Sequence, residues 1–241
     1  VAAEHCLKKL LDGEYYVKKM DTRYADSETY PIYTMTIAVF KCTADMSRFP
    51  LGLHAVVDPV VMDKNYDGIA LRSYAYDKTM KAPAGSSVLQ AQIIGDDNMY
   101  FWWKARKQNG TYRAEKDRIA REVLAKVVAR YPELEGKLEI IDMVTPCTYE
   151  RYLNTRRGSF QGFVHTKNGK ALMQKGVIRG LDGFILSGQC IFQSGGLPPA
   201  VITGKFAAQR ICRADHVEFR NAVETVALAA KNAFKKKQKA Y

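Results

Sequence analysis

The segment Tyr30–Phe40 is apolar on both of its alternating faces, and this pattern constrains the fold more than any other. Most of its side chains are β-branched, aromatic or aliphatic, types that favour strands. A strand with one wet face would alternate apolar and polar residues, whereas a continuous apolar run is typical of a strand covered on both sides. We therefore predict that this strand is buried on both of its faces.

Further strands are predicted to follow it without intervening helices. Turn-forming clusters, Asn65–Gly68 and Ala82–Gly85, separate these apolar segments. The predicted strands are Leu53–Met62, Ile69–Tyr76 and Ser87–Ile94. Consecutive strands of this kind predict an antiparallel or mixed sheet, and we expect a mixed sheet with flanking helices.

The hydrophobic period then changes to that of a helix. From Ala114 to Arg130 apolar residues recur at three- and four-residue spacing, and Pro132 ends the pattern. A strand is predicted at Leu138–Val144, followed by a polar stretch from Thr145 to Lys175. The remaining predicted elements are a strand stub at Val1–Ala3, a helix at Glu4–Leu11, a buried strand at Phe184–Ser187, and helices at about 198–212 and 215–234. The fold class is α/β.

Composition sets the class of protein. The chain has 241 residues, of which 47% are hydrophobic. At roughly 150 residues per domain, this predicts one large domain or two small ones and excludes a disordered chain. No apolar run approaches the ~20 residues of a membrane-spanning helix. The five cysteines include no C-x-x-C pair, which excludes a zinc ribbon and favours reduced thiols in a cytoplasmic compartment.

The net charge of +12 is the one skewed quantity. A basic balance is typical of proteins that meet nucleic acid, anionic membranes or acidic ligands. No helix-turn-helix, RNA-recognition or zinc-finger pattern is present, so we predict no nucleic-acid partner. The C-terminal lysines (Lys231, Lys235, Lys236, Lys237 and Lys239) are interpreted as a solvated run. Association of the last helix with a partner or with a membrane surface remains open.

The segment from Gly183 to Ala208 suggests chemistry. Gly188 ends the predicted strand and would let a ligand approach the backbone, and Gly195 and Gly196 precede a helix with proline in its first turn. We expect that helix start to offer unpaired N–H groups to a phosphate or an electron-rich ring oxygen. Small residues, Ala200, Gly204, Ala207 and Ala208, would let one helix face press against a neighbouring element. An ordinary β–α turn with small residues explains the same pattern.

Four pieces of the sequence, in order, resemble the C-terminal half of the phytoene desaturase, carotenoid isomerase and retinol saturase family of FAD-dependent oxidoreductases. Ala82–Gly85 is similar to the family's A-P-x-G turn. Thr145–Tyr152, followed by Gly158–Gly162, resembles its A-T-P-x-T-x-E-R-Y…G-S-x-x-G signature. Gly188-Gln189 resembles the strand-end pair beside the flavin, and the segment from Gly195 onward resembles the G-G-x-P-x-A…S-G-x-x-A-A helix. The resemblance covers about residues 1 to 212.

The resemblance implies that the intact protein binds FAD and moves a hydride between flavin and a hydrophobic, unsaturated, polyene-like substrate. It implies that residues 1–160 form a substrate domain and residues 161–241 the C-terminal part of a Rossmann-like FAD domain. The cofactor-binding residues it implies are Gly188, Gln189, Gly195, Gly196, Leu197, Pro198 and Ala200. No catalytic acid or base is identified, and the four histidines show no metal-ligand spacing.

The dinucleotide fingerprint of such proteins, G-x-G-x-x-G after a strand, is absent from these residues. We therefore expect the nucleotide-binding half to be missing or supplied by a second subunit, and the isolated chain to be inactive. The alternative is a binding module that kept the fold and lost the flavin. Cys190 is interpreted as a packing residue rather than a nucleophile, and Trp102 and Trp103, in a predicted strand at Met99–Trp103, as core.

Overall fold

A computed structural model of the chain describes most of its residues. The described residues are 6–15, 19–46, 53–56, 60–77, 79, 82–171, 176–192 and 195–220. The strands are β1 (Thr34–Cys42), β2 (Leu53–Val56), β3 (Val60–Val61), β4 (Lys64–Asn65), β5 (Ile69–Ser73), β6 (Ser87–Gly95) and β7 (Leu138–Val144). The α-helices are α1 (Lys19–Ala25), α2 (Asp97–Gln108), α3 (Tyr112–Arg130), α4 (Pro146–Leu153) and α5 (Leu197–Ala214). A π-helical turn covers Cys6–Leu10, and 3-10 turns cover Pro132–Leu134, Arg156–Gly158 and Gln189–Ile191.

Five strands form one sheet in the order β2-β5-β6-β1-β7, which confirms a fold of mixed helices and sheet. Every pairing in this sheet is antiparallel, so the expectation of a mixed sheet is wrong for the described strands. β1 lies between β6 and β7, and a bulge at Val39/Phe40 shifts its register against β7. The predicted strand Leu53–Met62 is instead β2 and β3, and β3 forms a separate hairpin with β4. Met62 and Asp63 take positive φ in its turn.

Helices α2 and α3 cover one face of the sheet. The helical spacing of α3 places Ile119, Val123 and Val127 in the core, as predicted from its period. From α2, Trp103 is fully buried, and its indole N–H donates to the Thr36 hydroxyl of β1 at 2.9 Å. The interpretation of Trp103 as a core residue is confirmed.

The predicted strand at Met99–Trp103 is wrong, because these residues lie inside α2. The Asp96 carboxylate accepts the Asn98 N–H at 3.0 Å and begins the helix. Met99 and Trp103 are four residues apart, so the helix turns both toward the sheet, where both are buried. A short apolar run fits a strand and a helix equally well, and the cap at Asp96 distinguishes them.

The opposite face of β1 is also buried where the prediction required it. Met35 and Ile37 point away from α2 and are buried, so this part of the strand is covered on both sides. Loop residues from distant parts of the chain meet at this end of the sheet. Phe163 forms a bridge with Ile32, and the Tyr33 N–H donates to Gly162 O at 2.9 Å.

The C-terminal part differs from the prediction in three places. The predicted polar stretch after β7 contains α4, which begins at a capping box on Thr145. Phe184–Ser187 is not a buried strand: it makes a single bridge, Ile185 with Val177, and its residues are half-buried or exposed. The predicted helix 215–234 is not helical at 215–220, and 221–234 lie outside the described residues, as does Val1–Ala3. In contrast, α5 confirms the helix predicted at about 198–212.

Within the described ranges, no helix combines the length and the apolar character needed to cross a membrane. The side chains of Cys42, Cys147, Cys190 and Cys212 form no disulfide.

Candidate functional site

Gly188 is fixed to α5 by a buried threonine. The Thr203 hydroxyl accepts the Gly188 N–H at 2.9 Å and lies 2.8 Å from Pro199 O, to which it donates. Thr203 is on the inner side of α5, one turn after Pro199, and is 6% exposed. The backbone at Gly188 has φ +127°, a conformation that residues with a Cβ rarely adopt. Thr203 therefore sets the position of the Gly188 backbone relative to the helix start.

The Gln189 side chain joins three segments. Its Nε2 donates to Phe160 O at 2.8 Å, and its Oε1 accepts the Gly196 N–H at 2.9 Å. One amide thus links the loop of the Gly158–Gly162 motif to the cap of α5. Each amide has one further donor and acceptor position, so these bonds are compatible with an additional contact to a ligand.

The two glycines before α5 differ from Gly188 in what surrounds them. A Cβ on Gly195 would lie 2.2 Å from Gln161 O, so this glycine permits two backbone segments to touch. Gly196 is the N-cap, with φ 87°. At Gly188, a Cβ would have no described atom within 4 Å. Of the three glycines predicted to bind the cofactor, Gly188, Gly195 and Gly196, Gly188 is therefore the one whose α-carbon faces open space.

The start of α5 has fewer donors than predicted. Pro198 and Pro199 carry no N–H, and the Gly196 N–H is taken by Gln189. Leu197, whose side chain is 82% exposed, is the one residue of the first three helical positions with a backbone N–H. A phosphate needs several converging donors, whereas a single ring oxygen needs one. The helix start therefore suits the ring oxygen better than the phosphate.

The predicted small-residue face of α5 (Ala200, Gly204, Ala207 and Ala208) is half-buried and does not enter the core. A Cβ on Gly204 would meet nothing within 4 Å, and Val201 on the same side is 71% exposed. Ala200, a predicted site residue, is half-buried, and its carbonyl lies 3.1 Å from the Thr203 hydroxyl. The inner side of α5 contacts the turn at Gln189–Ile191, and its outer side is open.

An aromatic group borders this site through Phe160, whose carbonyl Gln189 binds. The Phe160 ring lies 6.0 Å from that of Tyr33 and 6.2 Å from that of Tyr149. Burial raises the pKa of Tyr149, and the neighbouring Tyr74 phenol raises it further. The Tyr74 hydroxyl lies 3.3 Å from the Gln90 Oε1.

We call Tyr33, Tyr74, Tyr149, Phe160, Gln90 and Gln92 the aromatic face. By strand alternation, Gln90 and Gln92 lie on the side of the sheet away from α2. The Gln92 Nε2 donates to the Gln90 Oε1 at 3.0 Å. The residues of the aromatic face are apolar apart from phenol and amide groups, and Arg72 of β5 lies beside it, directly across from Gln90 on the same side of the sheet.

The Thr145–Tyr152 motif forms α4 and holds it against α2. Glu150 accepts the Tyr100 O–H at 2.7 Å and forms an ion pair with Lys104 at 2.8 Å. Burial raises the pKa of Glu150, but these hydrogen bonds outweigh burial and leave it below the usual 4.5. Burial and the bond to Glu150 raise the pKa of Tyr100 to about 12. All three groups are paired with one another, so this arrangement orders the helices rather than providing an acid or a base.

A second ion pair fixes the loop after α4. Asp97 is 5% exposed, accepts the Ile32 N–H at 3.0 Å and binds Arg157 at 2.7 Å. Gly158 follows with φ +63°, and a Cβ there would lie 2.0 Å from Pro146 O. These contacts position the segment that carries Phe160.

The sequence did not indicate Asp97 or Thr203 as functional residues, although both are polar residues inside otherwise apolar helical faces.

No protein-family model matches this chain, and no curated protein is significantly similar to it.

Proposed function

We propose that this chain belongs to a FAD-dependent oxidoreductase that transfers a hydride between flavin and a hydrophobic, unsaturated substrate. The observation that carries the proposal is the junction of Gly188, Gln189 and the start of α5. Two side chains, Gln189 and Thr203, hold these segments together through hydrogen bonds of 2.8–2.9 Å. Such a junction is expected where a backbone must be presented to a large planar ligand.

Two features of this junction support the binding of a flavin ring. The α-carbon of Gly188 faces open space on the side where any other residue would place a Cβ. Leu197 provides a backbone N–H and the positive end of the helix dipole, which favour an electron-rich oxygen. When bound, FAD supplies the hydride chemistry. In this proposal Gly188 contacts the ring, the Leu197 N–H stabilises negative charge on it, and Gln189 and Thr203 keep both in place.

The aromatic face supports the substrate class. Phe160 connects it to the junction through its carbonyl bond with Gln189. Phenol rings and uncharged amides contact an extended apolar molecule without the cost of burying an unpaired charge. We propose that the substrate lies along this face.

We propose that the adenosine half of FAD is bound by another domain or a second subunit, because the sequence has no G-x-G-x-x-G fingerprint. The exposed apolar side of α5 supports such a contact: Leu197 and Val201 are 82% and 71% exposed. The chain alone is then inactive. A cytoplasmic location is part of the same proposal.

The test is a titration of the purified chain with FMN and with FAD, read from the visible absorption band of the flavin. FMN has the ring without adenosine, so its binding does not need the other domain. We expect FMN to show a protein-induced shift that is lost in Gly188→Ala, because the new Cβ enters the space for the ring. Gly110→Ala is the matched control, since Gly110 also has positive φ and open space but lies between α2 and α3.

If neither flavin band changes with the wild-type chain, the flavin proposal is wrong for this chain, and the alternative of a binding module without cofactor is favoured. If Gly188→Ala and Gly110→Ala bind FMN equally well, the flavin binds elsewhere.

A further inference from the structure

Helix α1 buries an arginine for which the described residues provide no acceptor. Arg23 is 6% exposed, and its Nη1 makes no hydrogen bond to any described residue. An arginine stays charged in proteins. Burial of an unpaired charge is unfavourable unless a counter-charge or hydrogen bonds compensate for it. Arg23 therefore lacks a group that the folded protein should supply or bind.

The surroundings of Arg23 are aromatic. Its guanidinium lies 4.7 Å from the centroid of the Tyr30 ring, and Tyr30 packs against the cluster formed by Tyr24, Ile32 and Phe163. The cation–π contact offsets part of the cost of burial. The Tyr30 ring does not accept the N–H groups that lie in the plane of the guanidinium, so those of Nη1 remain without an acceptor among the described residues.

The acidic residues of this region are engaged elsewhere. Asp21 binds Arg156 and lies 3.5 Å from Lys8, and Asp26 accepts the Thr29 N–H at 3.0 Å. No carboxylate of the described residues forms an ion pair with Arg23. The charge on Arg23 is therefore not balanced by the acids of its own helix or of the turn that follows.

A second buried group of this region is also unsatisfied. Thr155 is 7% exposed, and its hydroxyl has no partner among the described residues. The guanidinium of the next residue, Arg156, lies 4.5 Å from the centroid of the Tyr24 ring. Tyr24 follows Arg23 in the chain. Arg23 and Thr155 each precede, in the chain, one member of the Tyr24–Arg156 contact that joins α1 to the turn Arg156–Gly158.

We propose that Arg23 binds the carboxylate of a small molecule at this junction. A carboxylate is flat, and its two oxygens match two donors of a guanidinium. As a monoanion among aromatic rings it loses less hydration than a doubly charged phosphate. Thr22 and Ala25 on the same helix are exposed, so α1 lies at the surface of the protein. This proposal is independent of flavin binding.

The test compares the thermal unfolding of the chain in sodium acetate and in sodium chloride at equal ionic strength. Bound acetate at about ten times its Kd lowers the unfolding equilibrium constant about tenfold. We expect this effect in the wild type and in Arg179→Met, an exposed control with the same change of charge. We expect no acetate effect in Arg23→Met. In chloride, Arg23→Met should be as stable as the wild type or more so, because it removes an uncompensated buried charge.

Arg23→Lys is the second variant: it keeps the charge and loses the planar pair of donors, and should show a weaker acetate effect. An equal acetate effect in Arg23→Met and the wild type, or none in the wild type, overturns the proposal. So does self-association that Arg23→Met abolishes without any acetate effect in the wild type, since the carboxylate would then come from another protein molecule.

Discussion

Substitution of Thr203 by valine should release Gly188 from α5 without unfolding the sheet. Valine has nearly the shape of threonine but cannot accept the Gly188 N–H, which Thr203 accepts at 2.9 Å. A half-buried donor left without its acceptor costs about 1–2 kcal/mol. That corresponds to about a 5–30-fold increase in local opening. Because the main contact of α5 is with the Gln189–Ile191 turn, the effect should remain local.

Amide hydrogen exchange measures this directly. In Thr203→Val the Gly188 amide should exchange about 5–30-fold faster, while the Ala91 amide, in the middle of β6, should keep its rate. Thr203→Ser retains the hydroxyl and should restore protection at Gly188. Equal protection of Gly188 in the wild type and Thr203→Val would show that the hydroxyl does not hold this backbone. Faster exchange at Ala91 would show that the two regions unfold together.

Two further predictions concern the helices beneath the site. Asp97→Asn keeps the shape of Asp97 but leaves Arg157 without its carboxylate, so the free energy of unfolding in urea should fall by about 3 kcal/mol; a change within about 0.5 kcal/mol would contradict this. The Glu150 carboxylate has a folded pKa below its unfolded value of 4.5. Its contribution is therefore complete above pH 4.5 and lost as the pH falls through the folded pKa. Glu150→Gln should flatten urea stability against pH in that acidic range; an unchanged slope would show that Lys104 and Tyr100 do not stabilise the charge.

The sequence predicted best the elements whose period is long and regular. β7 has the predicted bounds, and α3 starts only two residues earlier than predicted. Met99–Trp103 was misassigned because five apolar residues do not distinguish a period of two from one of 3.6. The predicted strand at Phe184–Ser187 is largely apolar, but among the described residues its strand pairing is limited to the bridge between Ile185 and Val177. Pairing is a tertiary property that a local pattern does not contain.

The candidate site was predictable as a place in the chain but not as a set of contacts. The glycines and prolines indicated a tight turn before a helix, which the structure confirms. The bonds of Gln189 to Phe160 O and to the Gly196 N–H join residues 29 and 7 positions apart. Thr203 is a polar residue on the inward side of α5, where Pro199 is also buried. A sequence shows that such a residue is polar, but it does not show which backbone group it will reach.

The place of β1 in the sheet affects the order in which the chain can fold. Its two neighbours are β6 and β7, and Val39 pairs with Asp142 about 100 residues later. One edge of β1 therefore stays unpaired until β7 has been synthesised. Until then, the apolar residues of β1 can form non-native contacts. We expect folding to be slow and to depend on the last strand, so that a nascent chain ending before Leu138 should aggregate rather than fold in part.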